Sequence, residues 1–315
     1  MGNEVLSELN RHAAAIGSDV RLVQGAGGNL SGKDGDLVWV KASGTRLAEA
    51  QTRPIFVGVD GPRARGDVLQ VEDLRHVVVE LADERASRPS IETALHVLLP
   101  HRYVFHVHSV GAVAAAAQRD PSTTMERLGE NAAVGWVPYA KPGIALARAV
   151  LSAQQATGTA PEMVFLLGNH GLLTAADTAD RARELIDESE ALLRRSERPA
   201  VRPEGDPALL GPPGSVDAAG RRLLTGGVLT PDEAVFLGSR PFTDVAGTGG
   251  SAVIGSDGAV HVSPELSSDA REIAQSFIAV AAHADEAAPV RYLGEDEVRD
   301  LVDWEAEKWR REMQR

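Results

Sequence analysis

The sequence predicts an α/β protein with one large N-terminal domain and a smaller C-terminal extension. Short apolar runs typical of strands, such as 37–41 and 163–167, alternate with segments whose apolar residues recur at the helical period. A stretch at 199–214 holds five Pro and three Gly and is typical of a linker. We therefore predict a domain at 1–198, a linker at 199–214 and an extension at 215–315.

Local patterns predict the elements of the N-terminal domain in order. The first half has a helix at 4–16, strands at 37–41 and 55–59, a helix at 71–85, and a helix with Ser90 as its N-cap. The second half has a strand at 103–108, helices at 110–118 and 144–153, a buried strand at 163–167, and a long amphipathic helix at 177–196. These patterns leave open whether the sheet is parallel, mixed or antiparallel.

The extension has fewer sequence patterns that predict secondary structure, but these patterns are clear. Thr230 and Glu233 have the spacing of a capping box, with Pro231 at the first helical position. The segment 251–262 predicts a hairpin that turns at Asp257-Gly258, and helices are predicted at 269–285 and 295–313. We expect an appended α/β element and no second catalytic domain.

Composition excludes several classes of function. The chain has 315 residues and a formal charge of −13, which disfavours binding to nucleic acid. It has no Cys, so any metal site must use His, Asp, Glu or backbone ligands. No apolar run is long enough to span a bilayer, and the N-terminus does not resemble a signal peptide. We expect a cytoplasmic protein that binds neither nucleic acid nor membrane.

Two histidines in a strand pattern form a candidate metal site. His106 and His108 are two positions apart, so both imidazoles point to one face of the strand. A third ligand must come from elsewhere, and His170, in a Gly-flanked loop at a strand end, is the leading candidate. Hydrogen-bonded core histidines are the competing interpretation.

Other segments suit a catalytic acid or an anion site. Glu92 is either a surface charge in the first turn of its helix or a general acid/base facing a metal, and His96 lies one turn later. The glycine-rich segment 25–31 and the turn 42–44 expose backbone amides and add the hydroxyls of Ser31 and Ser43. Each motif alone is weak evidence.

Together, five motifs in one order resemble the class II aldolase/adducin family over residues 5–195. They are Gly-Gly-Asn-Leu-Ser at 27–31, Lys-Ala-Ser-Gly at 41–44, Pro-Ser-Ile-Glu followed by His96 at 89–96, His-Val-His at 106–108 and Asn-His-Gly at 169–171. The resemblance implies a three-layer α/β/α sandwich around a largely antiparallel sheet, assembled as a tetramer. It also implies a divalent metal on His106, His108 and His170, with Glu92 as catalytic acid/base. By the same resemblance Asn29, Ser43, Gly44 and Ser90 would face a substrate phosphate.

The C-terminal residues extend this resemblance, and several positions differ from the motifs of the family. Residues 293–308 are similar to the end of the aldolase half of bifunctional rhamnulose-1-phosphate aldolase/lactaldehyde dehydrogenase proteins, and no dehydrogenase half is expected before the chain stops at Arg315. Fuculose-phosphate aldolases carry hydroxyl residues where this chain has Ala26 and Ile91, which weakens the case for a phosphate. No Tyr stands at the spacing of the family's proton donor, and Tyr139 is the only nearby phenol.

The resemblance predicts a divalent-metal-dependent aldolase of carbohydrate metabolism. Such an enzyme cleaves a ketose or ketose phosphate by a retro-aldol reaction through a metal-stabilised enediolate, with Glu92 moving the proton. We expect Zn²⁺ first, with Mn²⁺, Fe²⁺, Co²⁺ or Ni²⁺ as alternatives. A Schiff base is disfavoured because we expect none of the three lysines of this domain, Lys33, Lys41 and Lys141, to lie in an apolar setting that would depress its pKa.

Two other classes of function stay open. The same metal site supports sugar-phosphate epimerisation, decarboxylation or dehydration, and the fold does not choose among them. A non-enzymatic, adducin-like scaffold is the alternative outside enzymes. Retention of the three histidines and Glu92 argues against the scaffold.

Overall fold

The computed structural model describes residues 2–71, 73–80, 88–130, 132–194, 208–245, 247, 249–285 and 288–305. Its main feature is one sheet of eight strands. In chain order they are β1 Asn29–Asp34, β2 Leu37–Lys41, β3 Phe56–Asp60, β4 Val78–Glu80, β5 Tyr103–Val107, β6 Ala133–Val137, β7 Met163–Leu167 and β8 Gly171–Ala176. The spatial order is β4-β3-β2-β1-β5-β8-β7-β6, and every neighbouring pair is antiparallel except β6 with β7.

Helices cover both faces of this sheet. They are α1 Gly2–Gly17, α2 Gly61–Asp67, α3 Thr93–Leu98, α4 Val110–Ala116, α5 Ser122–Leu128, α6 Ile144–Thr157 and α7 Ala179–Leu193. One buried apolar cluster joins α1, α4, α5 and α7 to the sheet, and a second joins α2, α3 and α6 to the opposite face. Alternate residues of a strand enter different clusters, as Phe105 and Val104 do. The predicted three-layer α/β/α sandwich around a largely antiparallel sheet is confirmed.

Strand β5 lies at the centre of the sheet, between β1 and β8. Both neighbours run antiparallel to it, so their first residues lie beside its last ones. Asn29 at the start of β1 pairs with His106, and Leu172 near the start of β8 pairs with Val107. The loops that precede β1 and β8 therefore meet where β5 ends.

The extension forms its own α/β layer against the sandwich. Its elements are β9 Leu209–Gly211, α8 Ala218–Thr225, α9 Pro231–Leu237, β10 Phe242–Thr243, β11 Ala252–Ile254, β12 Val260–Val262, α10 Ser268–Ala281 and α11 Glu295–Val302. The four strands form a small sheet in the order β10-β11-β12-β9. Val110 and Val113 of α4 pack into the apolar core of the extension, so α4 is covered on both sides.

The structure corrects some of the predicted elements. The predicted helix at 71–85 is wrong: Arg75–Val77 is one 3₁₀ turn, and β4 follows as an edge strand paired with β3. Three successive valines at 77–79 favour this extended conformation, since β-branched side chains pack well on a sheet. Residues 72 and 81–87 lie outside the described part of the chain.

Some elements were not predicted at all: the strands β1, β6 and β8 and the short helices α2 and α5, while β9 lies within the predicted linker at 199–214. Other differences concern the ends of elements. Ser90 is not the N-cap of α3, which begins at Thr93 with Glu92 in the N-cap position, because the Ser90 hydroxyl accepts the Glu92 backbone N–H in a tighter turn. The hairpin turning at Asp257-Gly258 is confirmed by β11 and β12. Residues 199–207 of the predicted linker and 306–313 of the predicted last helix lie outside the described residues. None of the helices described combines the length and hydrophobicity that crossing a bilayer requires.

Candidate metal and active site

Three imidazoles converge where β5 ends. His106 is on β5, His108 follows it directly, and His170 is in the loop between β7 and β8. The Nε2 atom of His106 lies 3.0 Å from that of His108 and 3.4 Å from that of His170. One ring nitrogen from each of the three residues lies within 4.8 Å of the other two, an arrangement that suits three ligands of one metal ion.

Hydrogen bonds on the far side of two rings favour metal binding through Nε2. The Nδ1 of His106 lies 2.8 Å from the Leu172 carbonyl oxygen, which can only accept, so this nitrogen carries the proton. The Nδ1 of His108 lies 2.8 Å from Oδ2 of Asp232. Burial lowers the pKa of His106, which favours the neutral ring that a metal requires. The donors present therefore fit a divalent metal.

A strained loop places His170. Asn169 has a φ of 53°, the left-handed conformation, and Gly171 follows His170. The Asn169 side-chain amide donates to the carbonyl oxygens of Leu229 and Arg291, each at 2.9 Å, and its oxygen accepts from the Arg291 guanidinium. Two segments of the extension thus fix the backbone beside His170.

Glu92 supplies a carboxylate to the same point. Its Oε1 lies 3.4 Å from Nε2 of His170, and its Oε2 lies 3.7 Å from Nε2 of His106. The side chain is 10% exposed, at the start of α3. A group so placed can exchange a proton with a substrate held beside the imidazoles.

A pocket of about 450 Å³ opens in front of these groups. Of the residues predicted to bind substrate, Ser43, Gly44 and Ser90 line it. Asn29 and Ser31 are not among the described residues that line it, for both are fully buried on β1. Ser31 instead pairs with His96, whose Nδ1 lies 2.8 Å from the serine hydroxyl oxygen, which makes this histidine a support beneath the site.

The glycine loop, residues 25–28 before β1, forms one wall of the pocket. Gly28 has a φ of 67°, and a Cβ there would lie 2.6 Å from Cγ1 of Val23, so only glycine fits. Ala26 and Ile91, the two departures noted in the sequence, both line the pocket and present apolar surface to it.

Sequence reasoning missed two charged residues of the pocket, Lys41 and Asp232. Lys41 is 2% exposed, and its ammonium donates to the carbonyl oxygens of Ala26 and Thr45, each at 2.8 Å. It ties the glycine loop to the turn that carries Ser43 and Gly44. Its position in strand β2 gave no local signal of this contact.

The expectation that no lysine of the domain lies in an apolar setting that would depress its pKa is wrong. Lys33 on β1 is half-buried, and the burial of its ammonium lowers its pKa to about 7. The Lys33 ammonium donates to the carbonyl oxygens of Leu99 and His101, at the opposite end of β1 from the pocket. Lys33 is excluded from a catalytic role at this site by its distance from the pocket, and not by its pKa.

The sandwich fold and its cluster of three histidines facing one glutamate define a protein of the class II aldolase type. Residues 9–196 match the family model described as the Class II Aldolase and Adducin N-terminal domain, and the chain belongs to this family. The resemblance predicted from the five sequence motifs is thereby confirmed.

Several individual proteins are similar to this chain over part of its length. The uncharacterized oxidoreductase YuxG of Bacillus subtilis (strain 168) is 28% identical over 209 residues, which are 59% of this chain and 29% of that protein. The chain thus spans under a third of the length of this relative. The N-terminal class II aldolase domain of a conserved protein from Thermoplasma acidophilum is 26% identical, with a TM-score of 0.49 over 60% of this chain and 93% of that one. An L-fuculose 1-phosphate aldolase from Glaciozyma antarctica PI12 is 17% identical, with a TM-score of 0.44 over 60% of this chain and 72% of that one.

Proposed function

We propose that this protein is a divalent-metal-dependent aldolase that cleaves a ketose or ketose phosphate by a retro-aldol reaction. The observation that carries the proposal is the convergence of the Nε2 atoms of His106 and His170 on both oxygens of Glu92, with His108 beside them. Family membership supports a metal-dependent, aldolase-like activity in general.

The residues divide the chemistry between them. His106, His108 and His170 would hold the ion, most simply Zn²⁺, whose Lewis acidity stabilises negative charge on the substrate oxygens as the carbon–carbon bond breaks. Glu92 would move the proton on and off the carbon that carries this charge. His106 and His170 are buried, while His108 is half-buried and lines the pocket together with His170, where a substrate would reach the ion.

The pocket suits an anionic or polyhydroxylated substrate. Backbone amides of the glycine loop and of Gly44 lie near the hydroxyls of Ser43 and Ser90, and these groups would orient the end of the substrate away from the metal. The apolar surfaces of Ala26 and Ile91 leave fewer donors for a phosphate. We therefore keep both the free and the phosphorylated sugar as candidate substrates.

Metal content is the first test of this proposal. We expect about one equivalent of divalent metal per chain after metal-replete expression, and its loss in the His106→Ala/His108→Ala variant. Elemental analysis of both purified proteins measures this. An equal metal content in the two proteins, or none in the wild type, would refute the metalloenzyme.

A substrate screen is the second test. Retro-aldol cleavage of phosphorylated and free ketoses, with and without chelator, should give aldehyde and ketone products only when metal is present. Chelator-sensitive epimerisation, decarboxylation or dehydration without cleavage would support the metal site but refute the retro-aldol reaction. A tetramer of identical chains is proposed from the family, and light scattering after size-exclusion chromatography would measure it.

A further inference from the structure

We infer that the C-terminal extension completes the candidate metal site, with Asp232 as a positioning residue that fixes the orientation and tautomer of His108. The inference rests on the metal site of the proposed function but not on the aldol reaction. Asp232 lies outside the residues matched by the family model, which end at 196.

The contact joins two distant elements. Asp232 is in the first turn of α9, after the N-cap Thr230 and Pro231, and its Oδ2 lies 2.8 Å from Nδ1 of His108. The Asp232 side chain is only 10% exposed, so little water competes for the contact.

The chemistry of this contact is that of a metal ligand and its supporting carboxylate. An acceptor on Nδ1 keeps the proton there and leaves the Nε2 lone pair for a metal, and a carboxylate also makes the ring a stronger donor. His106 receives the same support from a backbone carbonyl of its own domain, that of Leu172. The comparable partner of His108 comes from the extension, which makes metal affinity depend on how the extension is docked.

Further contacts hold the extension against the site. The Asn169 side chain donates to the Leu229 and Arg291 carbonyls next to His170. The Gly25 backbone N–H donates to Glu272 of α10 at 2.9 Å, and Arg46 bridges Glu272 and Asp269. The extension therefore contacts the glycine loop, one metal-ligand side chain and the backbone beside another.

The test compares three variants of the full-length protein. We expect Asp232→Ala to bind zinc 10- to 100-fold more weakly than the wild type in competition with a chromophoric chelator. Asp232→Asn keeps a hydrogen-bond acceptor and should lose less affinity. Asp217→Ala removes an aspartate that caps another helix of the extension, α8, away from His108, and it should bind zinc as the wild type does.

A direct readout is the imidazole ¹⁵N spectrum of the metal-free protein. We expect His108 to carry its proton on Nδ1 in the wild type and in Asp232→Asn, and to lose this preference in Asp232→Ala, while His106 stays unchanged. The His108→Ala variant assigns the signals.

The outcomes separate this inference from the proposed function. Unchanged zinc affinity and tautomer in Asp232→Ala would overturn the inference, as would an equal loss of affinity in Asp217→Ala. A wild type that binds no zinc, but whose His108 tautomer still depends on Asp232, would refute the metal site while supporting the positioning contact.

Discussion

The carboxylate of Glu92 faces the nitrogen of His170 at 3.4 Å, although one residue begins a short helix and the other occupies a loop between two strands. This approach depends on α3 and the β7–β8 loop meeting at the end of β5. It would place the proposed acid/base within reach of a substrate bound beside the imidazoles.

Glu92→Gln should fold and retain metal but lose activity. The amide has the same shape as the carboxylate and cannot exchange a proton, so we expect kcat to fall about 10²- to 10⁴-fold. Retro-aldol rates and proton exchange at the enolate carbon measure the loss, and elemental analysis controls for metal. Undiminished turnover would assign the acid/base role to another group.

Gly171→Ala should destabilise the protein and weaken metal binding. An added Cβ would press against the Val107 carbonyl oxygen and lie 3.2 Å from Cα of His108, so backbone must move. We expect a loss of about 1–3 kcal/mol in the free energy of unfolding, by urea denaturation. Gly66→Ala is the control, since a Cβ there meets nothing within 4 Å. Equal stability of the two variants would contradict this account of the crowding.

Lys41→Met should loosen the pocket. Removal of the ammonium leaves the buried carbonyls of Ala26 and Thr45 without this donor, at a cost of about 1–3 kcal/mol each. We expect a lower melting temperature and a raised KM, since both walls of the pocket depend on the contact. Lys141→Met removes a lysine whose ammonium lies over the Trp304 ring at 4.5 Å, and it should cost less. A KM equal to that of the wild type would show that the two loops hold their positions without Lys41.

Glu233→Gln should make stability less dependent on pH. Burial raises the pKa of Glu233 from an ordinary value of 4.5 to about 8. Between these values the folded protein retains a proton that the unfolded chain has released, so stability falls as pH rises through this window. At about 1.4 kcal/mol per pKa unit the total loss is a few kcal/mol.

The glutamine has no proton to lose and still offers an oxygen to the Leu229 backbone N–H. We expect the variant to gain stability relative to the wild type between pH 5 and 8, measured as chemical denaturation at several pH values. Glu295→Gln, at an exposed position of α11, should follow the wild type. Parallel profiles for Glu233→Gln and the wild type would disprove the effect of burial.

Local patterns predicted the helices α1, α3, α4, α6 and α7 and the strands β2, β3, β5 and β7, but they did not predict β1, β4, β6 or β8. The alternation of His106 and His108 along a strand is a property of strand geometry, and the Gly-flanked position of His170 marks a tight loop. The order of the motifs then supplied the family and the sheet type, which periodicity alone could not. The valines at 77–79, two of which lie in β4, were assigned to a helix because a short edge strand has too few residues to show alternation.

Contacts between distant segments escaped prediction. The capping pattern of α9 already accounts for an acidic residue at 232, so nothing local indicated a partner at position 108. The burial of Lys41 likewise depends on two loops that approach each other only after the sheet has formed. Such residues are specified by packing, which a single sequence does not display.

The central place of β5 has a consequence for the order of folding. His106 and His170 come together only when β5 has paired with β8, and the glycine loop joins them only when β1 has paired on the other side. These pairings connect parts of the chain that are far apart, and such contacts form slowly. Capture of the proposed metal would therefore be a late event, and metal uptake by a refolding chain would report that β1, β5 and β8 have paired.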